Sequence, residues 1–175
     1  HQQLLRTDYE KAEPVTAAIE EQILQQAEAA LEDAGAIILS DYGKGTLTNK
    51  VITAIIKAAR KRKIPVLVDP KGSDYSKYKG ASVVTPNRKE IGEATGGLPT
   101  ATDQDVTLAG QHLIEKTGVE AVLATRSQDG MSVIAKAAKG LGFAVPVHLR
   151  TEALEVFDVS GAGDTVIATV AAAMA

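Results

Sequence analysis

Four short apolar runs decide most of what this chain can fold into: "AIILS" at 36–40, "PVLVD" at 65–69, "SVVTP" at 82–86 and "AVLAT" at 121–125. None alternates apolar with polar residues, so each reads as a strand buried on both faces, the condition met in a parallel sheet covered by helices on each side. Between the runs lie segments with helical spacing, 15–33, 47–63 and 103–117. The second sets Val51, Ile52, Ile55, Ile56 and Ala59 against Lys57, Arg60 and Lys61, the two faces of an amphipathic helix. Start signals agree: Thr46 or Thr48 can cap the second helix, and "TDQD" gives the third a capping Thr102 followed by early acids. "MSVIAK", after the tight "SQDG" turn, adds a strand, and "GFAVPVHL" adds an edge segment broken by Pro146. The expectation is an α/β fold built from βαβ units.

At 175 residues the chain suits one domain with a substantial core. A net charge of -3 gives no reason to expect nucleic acid or an acidic membrane as partner. The chain has no cysteine, which excludes disulfides, zinc–thiolate sites and a cysteine nucleophile. No apolar run approaches the roughly 20 residues of a membrane-spanning helix, and "HQQLLRTDYE" is unlike a signal peptide, so a cytoplasmic protein is expected.

In a parallel sheet the ligand crevice lies beyond the carboxyl ends of the strands. The residues that follow the apolar runs are "DYGKG", "DPKG", "PNRKE" and "TRSQDG", with "DVSGAGD" after "LEVF". All are rich in Gly, Asp, Lys, Asn or Arg, and on one rim they could handle a phosphate and its metal. The last is the most telling. A glycine-rich turn entering the helix "TVIATVAAAMA" aims backbone N–H groups and the positive end of the helix dipole at one point. Asp164 at the helix start could take a proton from a hydroxyl attacking phosphorus; the same residues also make a plain helix start with a capping carboxylate. Two rival phosphate motifs fail. Val166 stands at the third glycine position of a dinucleotide fingerprint, and no G-x-x-x-x-G-K-[ST] loop occurs.

"DVSGAGD" resembles the D-T-x-G-A-G-D signature of the ribokinase (PfkB-type) family of carbohydrate kinases. "PNRKE" is similar to that family's N-x-x-E pattern, and "TRSQDG" stands where the family has a T-x-G-x-x-G nucleotide loop. The runs "LSDYGKGTLT", "VLVDPKGSDYSKYKGA" and "TPNRKE" look closest to the subgroup of heptose 7-phosphate kinase domains, which belong to bifunctional bacterial enzymes of ADP-heptose synthesis. The resemblance covers essentially the whole chain.

It implies a ribokinase-like three-layer α/β/α fold with a mainly parallel sheet. It also implies ATP-dependent phosphorylation of a phosphosugar, with ATP and Mg²⁺ as cofactors and a homodimer as a compatible assembly. Asp164 would be the catalytic base, and Gly161, Ala162 and Gly163 the anion hole. Asn87, Arg88, Lys89 and Glu90 would meet the nucleotide, Glu90 holding the metal through water. Thr125, Arg126, Ser127 and Gly130 would line the nucleotide, although "TRS" departs from the usual T-L-G and leaves Arg126 either on a phosphate or in a surface pair. Lys44 and Lys71 lie outside the signature. Their place just past strand ends, beside glycines, makes them candidate phosphate ligands or plain solvated lysines. Asp41 and Asp69 could orient them, bind metal, or cap turns. "YSKYK" at 75–79 reads as a solvated turn, and His112 and His148 carry no acid–serine pattern.

The chain opens on His1 and ends at Ala175 inside a helical pattern, as one partial domain (1–175) would. The family's sugar-binding lid and its adenine-pocket end are unmatched, so this piece alone is expected to bind sugar poorly. Two alternatives stay open: another sugar or nucleoside kinase of the family, or a non-catalytic nucleotide-binding domain on the same fold.

Overall fold

A computed structural model describes residues 5, 7, 9–138, 142–152 and 161–175. Four parallel strands form the centre: β1 (Ile37–Ser40), β2 (Val66–Asp69), β3 (Val83–Val84) and β4 (Ala121–Thr125), side by side in chain order. β5 (Met131–Ala135) and β6 (Val147–Leu149) extend the sheet antiparallel beyond β4. Within the described residues the expected strands are present, and β6 holds only the part of "GFAVPVHL" beyond Pro146, because proline cannot donate to the ladder. The "LEVF" run lies outside the described residues.

The helices are α1 (Ala17–Ala30), α2 (Asn49–Lys61), α3 (Arg88–Thr95), α4 (Asp103–Thr117) and α5 (Ala162–Met174). Thr48 and Thr102 cap α2 and α4 as their positions predict, accepting from the Val51 and Asp105 amides. α3 is a helix in a stretch for which the spacing predicts none. Its cause is local: Asn87 accepts from the Glu90 amide at 3.0 Å and Glu90 accepts from the Asn87 amide at 3.0 Å. That reciprocal capping box starts a helix directly after the strand.

The two faces of the sheet are packed differently. Val66, Val68, Val84, Val122, Ala124 and Ile134 point into the larger core, against Ile52, Ile55 and Ile56 of α2 and Ala109, Leu113 and Ile114 of α4. α4 runs so close that a Cβ on Gly110 would stand 3.1 Å from Ile134 Cδ1. Leu67, Val83 and Leu123 point the opposite way, onto Ile167 and Ala171 of α5. Helices on both sides of a mainly parallel sheet are the expected three layers. "YSKYK" departs from its expectation as a solvated turn: Tyr75 and Tyr78 are 1% and 0% exposed, because the short 3-10 turn Ser76–Tyr78 folds inward against α2 and α4.

Candidate active site

Because β1 to β4 are parallel, Asp41, Asp69, Asn87 and Thr125 come to one rim. The ladder carries on into that rim: Asp41 N donates to Asp69 O at 2.9 Å, Thr85 N to Val68 O at 2.9 Å, and Thr125 N to Pro86 O at 3.0 Å. Over the β1–β2 end of this rim α5 begins. Gly161, with φ of +75°, makes the turn into it, a backbone state that disfavours side chains. α1 to α4 each have a side-chain cap, from Thr16, Thr48, Asn87 and Thr102 respectively. Among the described residues α5 has none. Among those residues its first amides keep their donors for another acceptor, and none of them stands within 4 Å of where a Cβ on Gly161 or Gly163 would lie. Ala162 and Gly163 are exposed in the first turn, and Asp164 beside them is exposed too.

Carboxylates and a lysine converge here. Asp69 is held above the ordinary carboxylate range, first by burial and then by the Glu90 and Asp164 carboxylates, with Lys71 opposing. α5 packs on Leu67 of β2, and the Lys71–Glu90 pair joins the loop after β2 to the start of α3, so the three elements meet along this rim. Lys71 Nζ stands 3.5 Å from Glu90 Oε1, while Glu90 Oε2 is held by the Asn87 amide. Glu90 thus has one oxygen tied to its helix and one turned to the rim.

Other candidates sit differently. Lys89 points to solvent, 85% exposed and 3.8 Å from Glu93. Arg88 pairs with Asp129, which fastens α3 to the turn after β4. Lys44 pairs with Glu10. Asp41 is nearly sealed, its carboxylate taken by the Gly43 amide, Lys77 and Tyr78. Arg126 is 4% exposed and turns away from α5: its Nη1 donates to Asp103, at the start of α4, and to Ser132 Oγ at 3.1 Å. The loop itself is tight, with Ser127 at φ +55° and Arg126 N bonded to Gly130 O at 2.8 Å. Only glycine fits at 130, since a Cβ there would stand 1.9 Å from Leu149 O. His148 meets Ser132 Oγ at 2.8 Å, a contact absent from sequence order because β5 and β6 create it. Among the described residues no three His, Cys, Asp or Glu side chains form a metal cage.

The pfkB family carbohydrate kinase model matches residues 7–175. The chain belongs to the pfkB family of carbohydrate kinases. It is 49% identical over 174 residues to the bifunctional protein HldE of Rhodospirillum rubrum, covering 99% of this chain and 34% of that protein. It is 52% identical over 175 residues to the HldE of Paramagnetospirillum magneticum, again 34% of its length. The chain thus spans about a third of these relatives. Among solved structures, phosphofructokinase-2 from Escherichia coli in complex with potassium superposes with a TM-score of 0.72 at 20% identity, covering 91% of this chain and 50% of that one. Arabidopsis thaliana ribokinase complexed with ribose and ATP gives 0.65 at 23% identity, covering 93% and 47%. These show the ribokinase-like fold that the motifs imply. Sequence reasoning missed Lys77 and Tyr78, whose burial at the rim no local pattern signals.

Proposed function

We propose that the full-length protein containing this chain transfers the γ-phosphoryl group of ATP to the anomeric hydroxyl of D-glycero-D-manno-heptose 7-phosphate. The observation that carries this reading is the uncapped glycine turn into α5, with Asp164 beside it and within electrostatic reach of Asp69. The resemblance of "LSDYGKGTLT" and "VLVDPKGSDYSKYKGA" to heptose 7-phosphate kinase domains selects the sugar.

The sugar hydroxyl attacks the γ-phosphorus in line as the bond to the β–γ bridging oxygen breaks and ADP leaves. Asp164 accepts the hydroxyl proton, and the amides of Gly161, Ala162 and Gly163 bind the negative charge on the transferring group. Lys71 and Lys44 each lie just past a strand end, where an ammonium can meet a phosphate. Glu90 turns one oxygen, Oε1, to the rim beside Lys71, and Asp69 offers a half-buried carboxylate. That donor set is too small to cage a cation alone and suits Mg²⁺ that keeps waters and phosphate oxygens as ligands. When bound, Mg²⁺ would neutralise phosphate charge; Glu90 would hold it through water. Asn87 and the 125–130 loop line the nucleotide.

The test is Asp164→Asn in the full-length protein. Turnover is expected to fall by about 10²–10⁴, the usual worth of a positioned base, with MgATP binding by calorimetry changed less than about twofold. Turnover close to wild type would overturn the assignment. Turnover of a different sugar with none of the heptose phosphate would keep the kinase and discard the sugar.

A further inference from the structure

The most completely satisfied polar group on the rim has no part in the chemistry above. The Asp41 side chain is 3% exposed, yet it carries a charge: burial pushes its carboxyl up, and hydrogen bonds from Lys77, Tyr78 and the Gly43 amide outweigh this and hold it below the usual range. Its Oδ1 accepts from Gly43 N at 2.8 Å. Its Oδ2 accepts from Lys77 Nζ at 2.7 Å and from the Tyr78 hydroxyl at 2.6 Å.

Tyr78 does more than satisfy Asp41. With its one proton given to that carboxylate, its oxygen accepts from the Lys71 backbone amide at 3.1 Å. A single phenol, wholly buried, therefore joins the loop after β1 to the loop after β2. Lys77 lies over the Tyr78 ring, 4.9 Å from its centre, and its side chain is only 17% exposed. The joined loops also touch directly. A Cβ on Gly43 would stand 3.4 Å from Lys71 Cγ, so the Lys71 stem lies along the Gly43 backbone. The Lys71 side chain is 57% exposed, and beyond that stem its ammonium faces Glu90.

We infer that Tyr78 is a positioning residue, which with Lys77 and Asp41 fixes the Lys71 backbone so that the Lys71 ammonium stands over Glu90, on the nucleotide side of the rim. The inference rests on the kinase reading above. A lysine on a flexible stem finds a phosphate more readily when its backbone is already held, since less freedom is lost on binding. Tyr78 touches no substrate; its effect passes through Lys71.

The experiment compares wild type, Tyr78→Phe, Lys71→Ala and the double variant of the full-length protein, assayed with ATP and heptose 7-phosphate. Phenylalanine keeps the ring and leaves Lys77 on Asp41, so the fold is retained. Tyr78→Phe should raise KM for ATP about tenfold, the scale of one lost hydrogen bond, with kcat and KM for the sugar phosphate within about twofold. In the Lys71→Ala background the same substitution should change KM for ATP less than about twofold, because the residue through which it acts is gone. Hydrogen exchange at the Lys71 amide should quicken in Tyr78→Phe. Lys77→Met should reproduce the KM effect in part. An unchanged KM for ATP in Tyr78→Phe, or an equal rise with and without Lys71, overturns the inference and leaves the kinase reading standing. Wild-type protein that turns over no sugar with ATP overturns the kinase reading and this inference with it.

Discussion

Glu90 holds two positions at once, and they can be separated. One oxygen closes the capping box with Asn87; the other faces Lys71. Glutamine at 90 can still accept from the Asn87 amide, because either residue closes such a box, but it brings no charge to a cation. Glu90→Gln is therefore expected to leave thermal stability nearly unchanged while raising the Mg²⁺ concentration needed for half-maximal rate about tenfold or more, read from a magnesium titration. Asp69 offers a pH test. Its carboxyl is raised by burial and by Glu90 and Asp164, so its ionised form is disfavoured in the folded state relative to the unfolded one. Asp69→Asn should then stabilise the chain at neutral pH, and the gain should vanish as pH falls below the ordinary carboxylate value, where the wild-type group is protonated in both states. Asp41 has the opposite sign. Its lowered pKa contributes stability that is present above the ordinary carboxylate value and lost as pH falls through the folded value. Thermal melts of both asparagine variants across pH check the pair.

At the scale of elements, α3 and α5 carry the proposed site and depend on different supports. α3 is eight residues long, too short to persist without its caps and its buried Ile91 and Ala94. Asn87→Ala should cost about 1 kcal/mol, as loss of an N-cap does, and should also raise KM for ATP; chemical denaturation with steady-state kinetics reads both. α5 is held by a narrow strip, Ile167 and Ala171 on Leu67, Val83 and Leu123. Ile167→Ala should cost about 2–4 kcal/mol through lost burial and the cavity left behind. It should lower turnover as well, because α5 places Asp164 over the rim. Turnover unchanged at full stability loss would mean that the start of α5 is fixed by something other than this strip.

At the scale of the molecule, four parallel strands in chain order put every strand-end loop on one edge, and α5 closes over that edge from the opposite face of the sheet. Ligand binding there should stabilise the fold as a unit: at a free MgATP concentration of about 100 Kd the full-length protein should gain about 2.7 kcal/mol, seen as a thermal shift. Among the described residues no helix is long and apolar enough to cross a membrane. Much of this was legible before any coordinates. Apolar runs without alternation dictate strands buried on both faces, and threonines at the helix starts dictate where helices begin, because both signals act between residues near in sequence. Glycines before Asp164 point to the proposed anion site for the same reason: their freedom is a backbone property that needs no partner. "PNRKE" shows where local reading is ambiguous, since N-x-x-E builds the observed capping box with the same atoms proposed to meet a nucleotide. What only the tertiary structure decided is which polar groups face the rim and which are consumed beneath it. Arg126 goes to Asp103 and Ser132, Asp41 to Lys77 and Tyr78, and Lys71 is steadied by a phenol seven residues along the chain. The physical reason is burial: a charge withdrawn from water must find partners wherever the packing of distant elements puts them, and the sequence names the charges without naming the partners.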